Sequence, residues 1–364
     1  MATPKLWSSN AVLSGGVPAG GVAALLPGQL IDARYEVLEV ISHGATADVF
    51  KVRHRILGRH FALKVLRSDC IRDVEFTERL LREARALGSI SHPNIVSITD
   101  CGRLRGGEPY FVMEYVEGTS LGRLIAARAP LEPSVVVEIG QGVCDALDAA
   151  HRLGIIHRDL KPDNVYVVQR LGASSVKVLD FGLARVAGQG RLTRPNTAQG
   201  TPEYMSPEQA MGNEVDARTD IYSLGVTLYE MLSGRTPFVA DSYVALANQH
   251  MYAPVPPVER WLAQSPRQPP LEAVVLRCLE KDPERRYPSA WDLGRALGTL
   301  RVNEPTLRLS SRALSIIKGH RPAARAASAS REGLRYRSVM RWAIVGCCLG
   351  TLILGVLYLL RLGG

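Results

Sequence analysis

His157-Arg158-Asp159-Leu160-Lys161-Pro162-Asp163-Asn164 is followed, sixteen residues after Asn164, by Asp180-Phe181-Gly182. A His-Arg-Asp triplet alone is a common surface turn, and Asp-Phe-Gly alone is a common turn tripeptide. Eight residues in one order, with a β-type run over 176–179 leading into Asp180, are far more specific than either. The pattern sets two carboxylates, a lysine and an amide at fixed separations, donor types that orient a hydroxyl and hold a hard cation.

Upstream of this stretch, β-type runs at 35–41, 48–53 and 60–66 are separated by glycine-containing turns, and a helical stretch at 74–87 precedes His92-Pro93. Two more strands are expected at 95–99 and 110–114. The result is a mostly antiparallel sheet carrying one helix. Past Gly118, apolar residues recur at helical spacing over 134–153, 221–232 and 271–279. No repeat at solenoid spacing is present. The chain divides into a flexible leader (1–30), a strand-rich lobe (31–116), a helix-rich lobe (117–300), a basic linker (301–341) and an apolar segment (342–360). The fold class is α+β.

A chain of 364 residues with 46% hydrophobic residues has ample material for a packed core, which excludes a disordered protein. Six cysteines without CxxC spacing indicate neither a zinc site nor a disulfide framework, and a reducing compartment suits most of the chain. Of the formal +9, residues 301–341 supply +8 (ten Lys and Arg against Glu304 and Glu332) and Arg361 the rest. The first 300 residues are formally neutral, which argues against a basic groove for nucleic acid. Residues 342–360 hold no Asp, Glu, Lys, Arg or His and are close to the length a helix needs to cross a bilayer. Flanked by Arg341 and Arg361, this segment is expected to span, with the basic flank cytoplasmic, only 361–364 beyond the bilayer and no external sensor domain. No signal peptide is expected.

Over about residues 35 to 300 the motifs resemble those of the bacterial membrane-anchored, eukaryotic-like (Hanks-type) serine/threonine protein kinases. The resemblance implies a bilobal protein-kinase-like fold with ATP in the cleft, Mg2+ or Mn2+, and transfer of the γ-phosphoryl group to Ser or Thr hydroxyls of protein substrates. Asp159 would orient the acceptor hydroxyl, and Lys161, typical of the serine/threonine branch, would contact the transferred phosphate. Asn164 and Asp180 would hold metal. Lys64, in Phe61-Ala62-Leu63-Lys64, would hold the phosphates, fixed by Glu83 of Leu81-Arg82-Glu83-Ala84. Glu75 and Glu78 sit too far from His92 to match. Phe111 to Gly118 would be the strand and hinge behind the purine, with Met113 as gatekeeper and backbone groups of Glu114 and Val116 on the adenine edge. Ile41, Val49 and Ala62 would cover the nucleotide.

The phosphate-covering loop departs from the family's G-x-G-x-x-G-x-V. It reads Ser42-His43-Gly44-Ala45-Thr46-Ala47-Asp48-Val49 and keeps only the middle glycine, so weaker nucleotide binding is expected. Thr201 would bond Asp159 and Lys161. Glu208 would have Arg286 as its buried partner, with Arg285 as rival, and Asp220 would anchor the catalytic-loop backbone. Thr193 and Thr197 are candidate phosphosites, a phosphate on Thr197 meeting Arg158. The implied placement is single-pass in the cell inner membrane with the kinase domain cytoplasmic. The cytoplasmic leaflet is then a partner surface, and a homodimer is left open. Two other readings stand beside this one: a membrane-tethered pseudokinase scaffold and a basic nucleic-acid-binding protein.

Overall fold

The computed structural model describes residues 25–300 apart from 45, 69, 70, 72, 73, 171, 172, 182–201 and 259–269. Residues 1–24 of the leader, the basic linker and the expected membrane segment at 342–360 lie outside the described residues, whereas Leu25, near the leader's end, is buried in the core and Leu30 opens a strand. Among the described residues, no helix is long and apolar enough to cross a membrane.

The first sheet consists of β1 (Leu30–Ile31), β2 (Tyr35–His43), β3 (Ala47–His54), β4 (His60–Leu66), β5 (Ile98–Arg103) and β6 (Pro109–Glu114). They lie in the order β1-β2-β3-β4-β6-β5, each antiparallel to its neighbour. Alternation builds the core: Tyr35 and Val37, Phe50 and Val52, Leu63 and Val65, Tyr110 and Val112 bury themselves with Leu25 and Ile31. Successive side chains of a strand point to opposite faces, so Val49, Ala62, Lys64 and Met113 fall together on the other face. Register sets them side by side, Val49 opposite Lys64 and Ala62 opposite Met113.

Helix α1 (Val74–Gly88) buries Thr77, Leu80, Leu81, Ala84 and Leu87, a helical stripe that packs on β5 and β6. The strand expected at 95–99 begins instead at Ile98. Ile95 bridges Val178, and Val96 N–H donates to the Val178 carbonyl at 3.0 Å, so this segment is drawn toward the other lobe.

In the second lobe, β7 (Thr119–Ser120) runs into α2 (Leu121–Arg128), whose first turn is capped by the Ser120 hydroxyl accepting from Arg123 N–H. After α3 (Pro133–His151), strands β8 (Val165–Arg170) and β9 (Ala173–Val178) complete a three-stranded sheet in the order β7-β8-β9. Among the described residues, four of the five remaining helices are α4 (Pro207–Met211), α5 (Arg218–Ser233), α6 (Tyr243–Tyr252) and α7 (Pro270–Cys278). The fifth is α8 (Ala290–Thr299). Helix α5 is buried on all sides from Thr219 to Tyr229, with α3, α7 and α8 packed against it. Its contact with α7 needs a glycine: a Cβ on Gly225 would lie 2.6 Å from Cys278 Cβ. The periodicity reading assigns no element to β8, α2, α6 or α8.

Candidate active site

The stretch 157–164 leaves α3 after a glycine turn at Gly154 and closes in a single 3-10 turn, Pro162–Asn164. Its backbone is held from below. Asp220, fully buried in the first turn of α5, accepts from the His157 and Arg158 N–H groups at 2.8 Å each and from His151 Nε2 at 2.7 Å. A buried carboxylate needs such donors, and a helix N-terminus favours its charge. Arg158 and Asp180 both have positive φ, 65° and 63°, which costs about 1–3 kcal/mol for a non-glycine residue. The surrounding bonds hold them there. His157 Nε2 donates to the Leu179 carbonyl at 2.8 Å and its Nδ1 accepts from Asp159 N–H at 3.3 Å, so the Nε2–H tautomer satisfies both. Its ring packs on that of Phe181, 4.8 Å between centroids.

Asp159, Lys161, Asn164, Asp180 and Lys64 converge. Lys161 Nζ lies 2.9 Å from Asp159 Oδ2, and Asn164 Nδ2 donates to the Asp159 carbonyl at 2.8 Å. Lys64, from the other lobe, places its Nζ 2.8 Å from Asp180 Oδ1. Burial works to raise the Asp180 carboxyl, but Lys64 outweighs it and holds the group below the usual carboxylate range. An ionised carboxylate together with an amide whose nitrogen is already committed, leaving its oxygen to ligate, suits a hard divalent cation such as Mg2+. The residues fit the metal that the motifs imply.

Glu83 lies on α1, but its side chain is outside the described residues, as are Thr193, Thr197 and Thr201. Met113 and Ala62 are buried neighbours on the non-core face of the sheet, and Ile41 is exposed at the end of β2. Glu114 N–H is committed to the Ser97 carbonyl at 3.0 Å, so an adenine contact at this residue falls to its carbonyl; Val116 is half-buried just beyond. In the loop over the cleft, Gly44 N–H donates to the Ala47 carbonyl at 2.9 Å, and a Cβ on Gly44 would sit 2.8 Å from that oxygen. Ser42 pairs with Val49 just past a register shift between Val40 and Ser42, Ala47 pairs with Leu66, and neither has a positive φ that would demand a glycine. The positive φ that glycine alone adopts freely is not used at either position.

Below the cleft, Arg286 grips Glu208 through two bonds of 2.8 Å, and Thr219 Oγ1 donates to the same carboxylate at 2.6 Å. Arg285 is exposed, which resolves the alternative in favour of Arg286.

The profile of the protein kinase domain matches residues 35–293. The chain belongs to the protein kinase family. The chain is 38% identical over 358 residues to the serine/threonine-protein kinase PknB of Mycolicibacterium smegmatis, covering 92% of this chain and 56% of that protein. It is 38% identical over 303 residues to PrkC of Bacillus subtilis, covering 81% of this chain and 46% of that one. The chain thus spans about half the length of the curated relatives it matches. Among solved structures it resembles the PknI kinase domain of Mycobacterium tuberculosis, with TM-score 0.59 and 29% identity, over 76% of this chain and 100% of that one.

Three contacts of the kinase domain escape the motif reading. Gln209 accepts from Ser206 N–H through its side-chain oxygen, while its Nε2 donates to the Arg158 carbonyl at 2.8 Å, tying α4 to the catalytic loop. The signal was present in Ser206-Pro207-Glu208-Gln209, a capping box by sequence. His151 and Lys177 had no local signal, because their partners Asp220 and Glu114 lie 69 and 63 residues away.

Proposed function

We propose that this chain is an ATP-dependent serine/threonine protein kinase. The observation that carries the reading is the convergence of Lys64 and Asp180 across the cleft beside Asp159, Lys161 and Asn164. The acceptor hydroxyl gives its proton to the Asp159 carboxylate as its oxygen bonds to the γ-phosphorus, and the bond from that phosphorus to the bridging oxygen breaks, releasing ADP. Lys161 stays on the transferred group, and Lys64, with Glu83 as its partner, holds the remaining phosphates. Asn164 and Asp180 would hold Mg2+ or Mn2+, which when bound neutralises charge on the phosphate oxygens.

Residues 342–360 anchor the domain in the inner membrane with the basic linker on the cytoplasmic leaflet, and Thr193 and Thr197 are sites of autophosphorylation. The uninterrupted apolar run and its arginine flanks support the first point. A scaffold without catalysis is the second reading, resting on Ser42 and Ala47 standing where the family's loop has glycines. Incubating the full chain with ATP, Mg2+ and a generic protein substrate, then identifying the phosphoamino acids, separates the two. Phosphoserine or phosphothreonine supports the kinase, and no phosphate above background supports the scaffold.

A further inference from the structure

Lys177 is a charged side chain set between two core valines of β9. Its neighbours Val176 and Val178 are buried, and Lys177 turns to the opposite face, where its side chain is only 12% exposed. There its Nζ donates to Glu114 Oε2 at 2.6 Å and to the Ile95 carbonyl at 3.2 Å. Both acceptors belong to the strand-rich lobe, while Lys177 belongs to β9 of the other lobe, three residues before Asp180.

The chain between Lys177 and Asp180 has little slack. Val178 donates its N–H to the Asn94 carbonyl at 2.7 Å and accepts from Val96 N–H at 3.0 Å. Leu179 donates to the Asn164 carbonyl at 2.9 Å and accepts from His157 Nε2 at 2.8 Å. At the other end, Glu114 is the last residue of β6 and its N–H is fixed on Ser97. One ion pair therefore spans from the strand that delivers Asp180 to the segment that would line the purine.

A largely buried ion pair is seldom a net gain in stability over apolar packing of the same shape, because desolvation offsets the attraction. What such a pair does supply is a fixed distance and direction. We propose that Lys177 is a positioning residue for the nucleotide: by holding Glu114, it sets the purine wall in register with Asp180, so that base and phosphates are met together. This rests on the cleft binding ATP, as proposed above.

The test measures ATP·Mg binding to the full chain directly, alongside KM for ATP, kcat and thermal midpoint, for wild type, Lys177→Met, Lys177→Arg and Glu114→Gln. Methionine keeps most of the stem's packing and removes both donated bonds. Loss of charge-assisted bonds of this kind predicts about tenfold weaker ATP binding and a matching rise in KM, with kcat at saturating ATP within about twofold. Lys177→Arg recovers most of the affinity, and Glu114→Gln weakens it in the same direction. Should Lys177→Met fail to fold, Glu114→Gln reads the same bond from its other end. Unchanged ATP affinity in folded Lys177→Met and in Glu114→Gln overturns the proposal, as does a lowered midpoint with KM untouched. A wild-type chain that binds no ATP overturns this inference and the kinase reading together. One that binds ATP but transfers nothing overturns only catalysis, and the binding series still decides the role of Lys177.

Discussion

Lys64 Nζ and Asp180 Oδ1 meet at 2.8 Å across the boundary between the two lobes, a cation from β4 against a carboxylate that follows β9. Asp180 stays below the ordinary carboxylate range because the Lys64 charge and bond outweigh its burial. Substituting Lys64→Met leaves the burial and removes the attraction, so the Asp180 pKa is expected to rise. Carboxyl-selective NMR titration of wild type and variant reads the shift. An Asp180 titration identical in the two proteins would show that Lys64 does not set its charge.

The Glu208–Arg286 pair predicts a stability effect with a defined pH window. Burial opposes ionisation of Glu208, but bonds from Arg286 and Thr219 hold its pKa below the ordinary value of 4.5. A depressed carboxylate stabilises the fold fully above its unfolded pKa, and that stabilisation disappears as pH falls through the folded value. Arg286→Met leaves a buried carboxylate unpaired, at a cost of about 3–5 kcal/mol near neutral pH. The deficit should shrink in acid, because the unpaired Glu208 of the variant takes up a proton at higher pH than the depressed Glu208 of the wild type. Urea unfolding of the two proteins at neutral pH and near pH 4 measures it; a deficit that stays constant with pH contradicts the assignment.

The loop over the cleft predicts a contrast between two neighbouring positions. Gly44→Ala drives a Cβ against the Ala47 carbonyl at 2.8 Å, a fixed backbone atom, and is expected to raise KM for ATP several-fold by opening the turn. Ser42→Gly, in a strand whose φ is already ordinary, should leave KM within about twofold. Steady-state kinetics on both variants decide it, and the reverse ranking would mean that the missing glycine at position 42 limits nucleotide binding.

How much of this was legible beforehand followed sequence distance. The groups of 157–164 and Asp180 lie within one short stretch, and alternation alone puts Val49, Ala62, Lys64 and Met113 on a common sheet face. The choice between Arg285 and Arg286 needed the 3-10 turn Pro283–Arg285, which buries one and exposes the other. Strand 98–103 was displaced from its expected start because Ile95 and Val96 pair with Val178, a partner 83 residues on from Ile95 that no local pattern announces. Lys177 reads locally as a solvated strand residue; only the fold brings Glu114 to it.

The segment carrying Thr193 and Thr197 makes a chemical prediction independent of its conformation. Mass mapping of active recombinant chain should find phosphate on at least one of the two, and the double alanine variant should lose activity. An active preparation with neither threonine modified would remove the proposed switch.

The most direct measurement of the central claim is γ-phosphoryl transfer from labelled ATP to protein by wild type and by Asp159→Asn. The substitution keeps the shape of the side chain and removes the base. The account predicts labelled phosphoserine or phosphothreonine from wild type and a loss of about 10²- to 10⁴-fold in the variant, with ATP binding retained. Equal incorporation by both proteins, at background or above it, would contradict it.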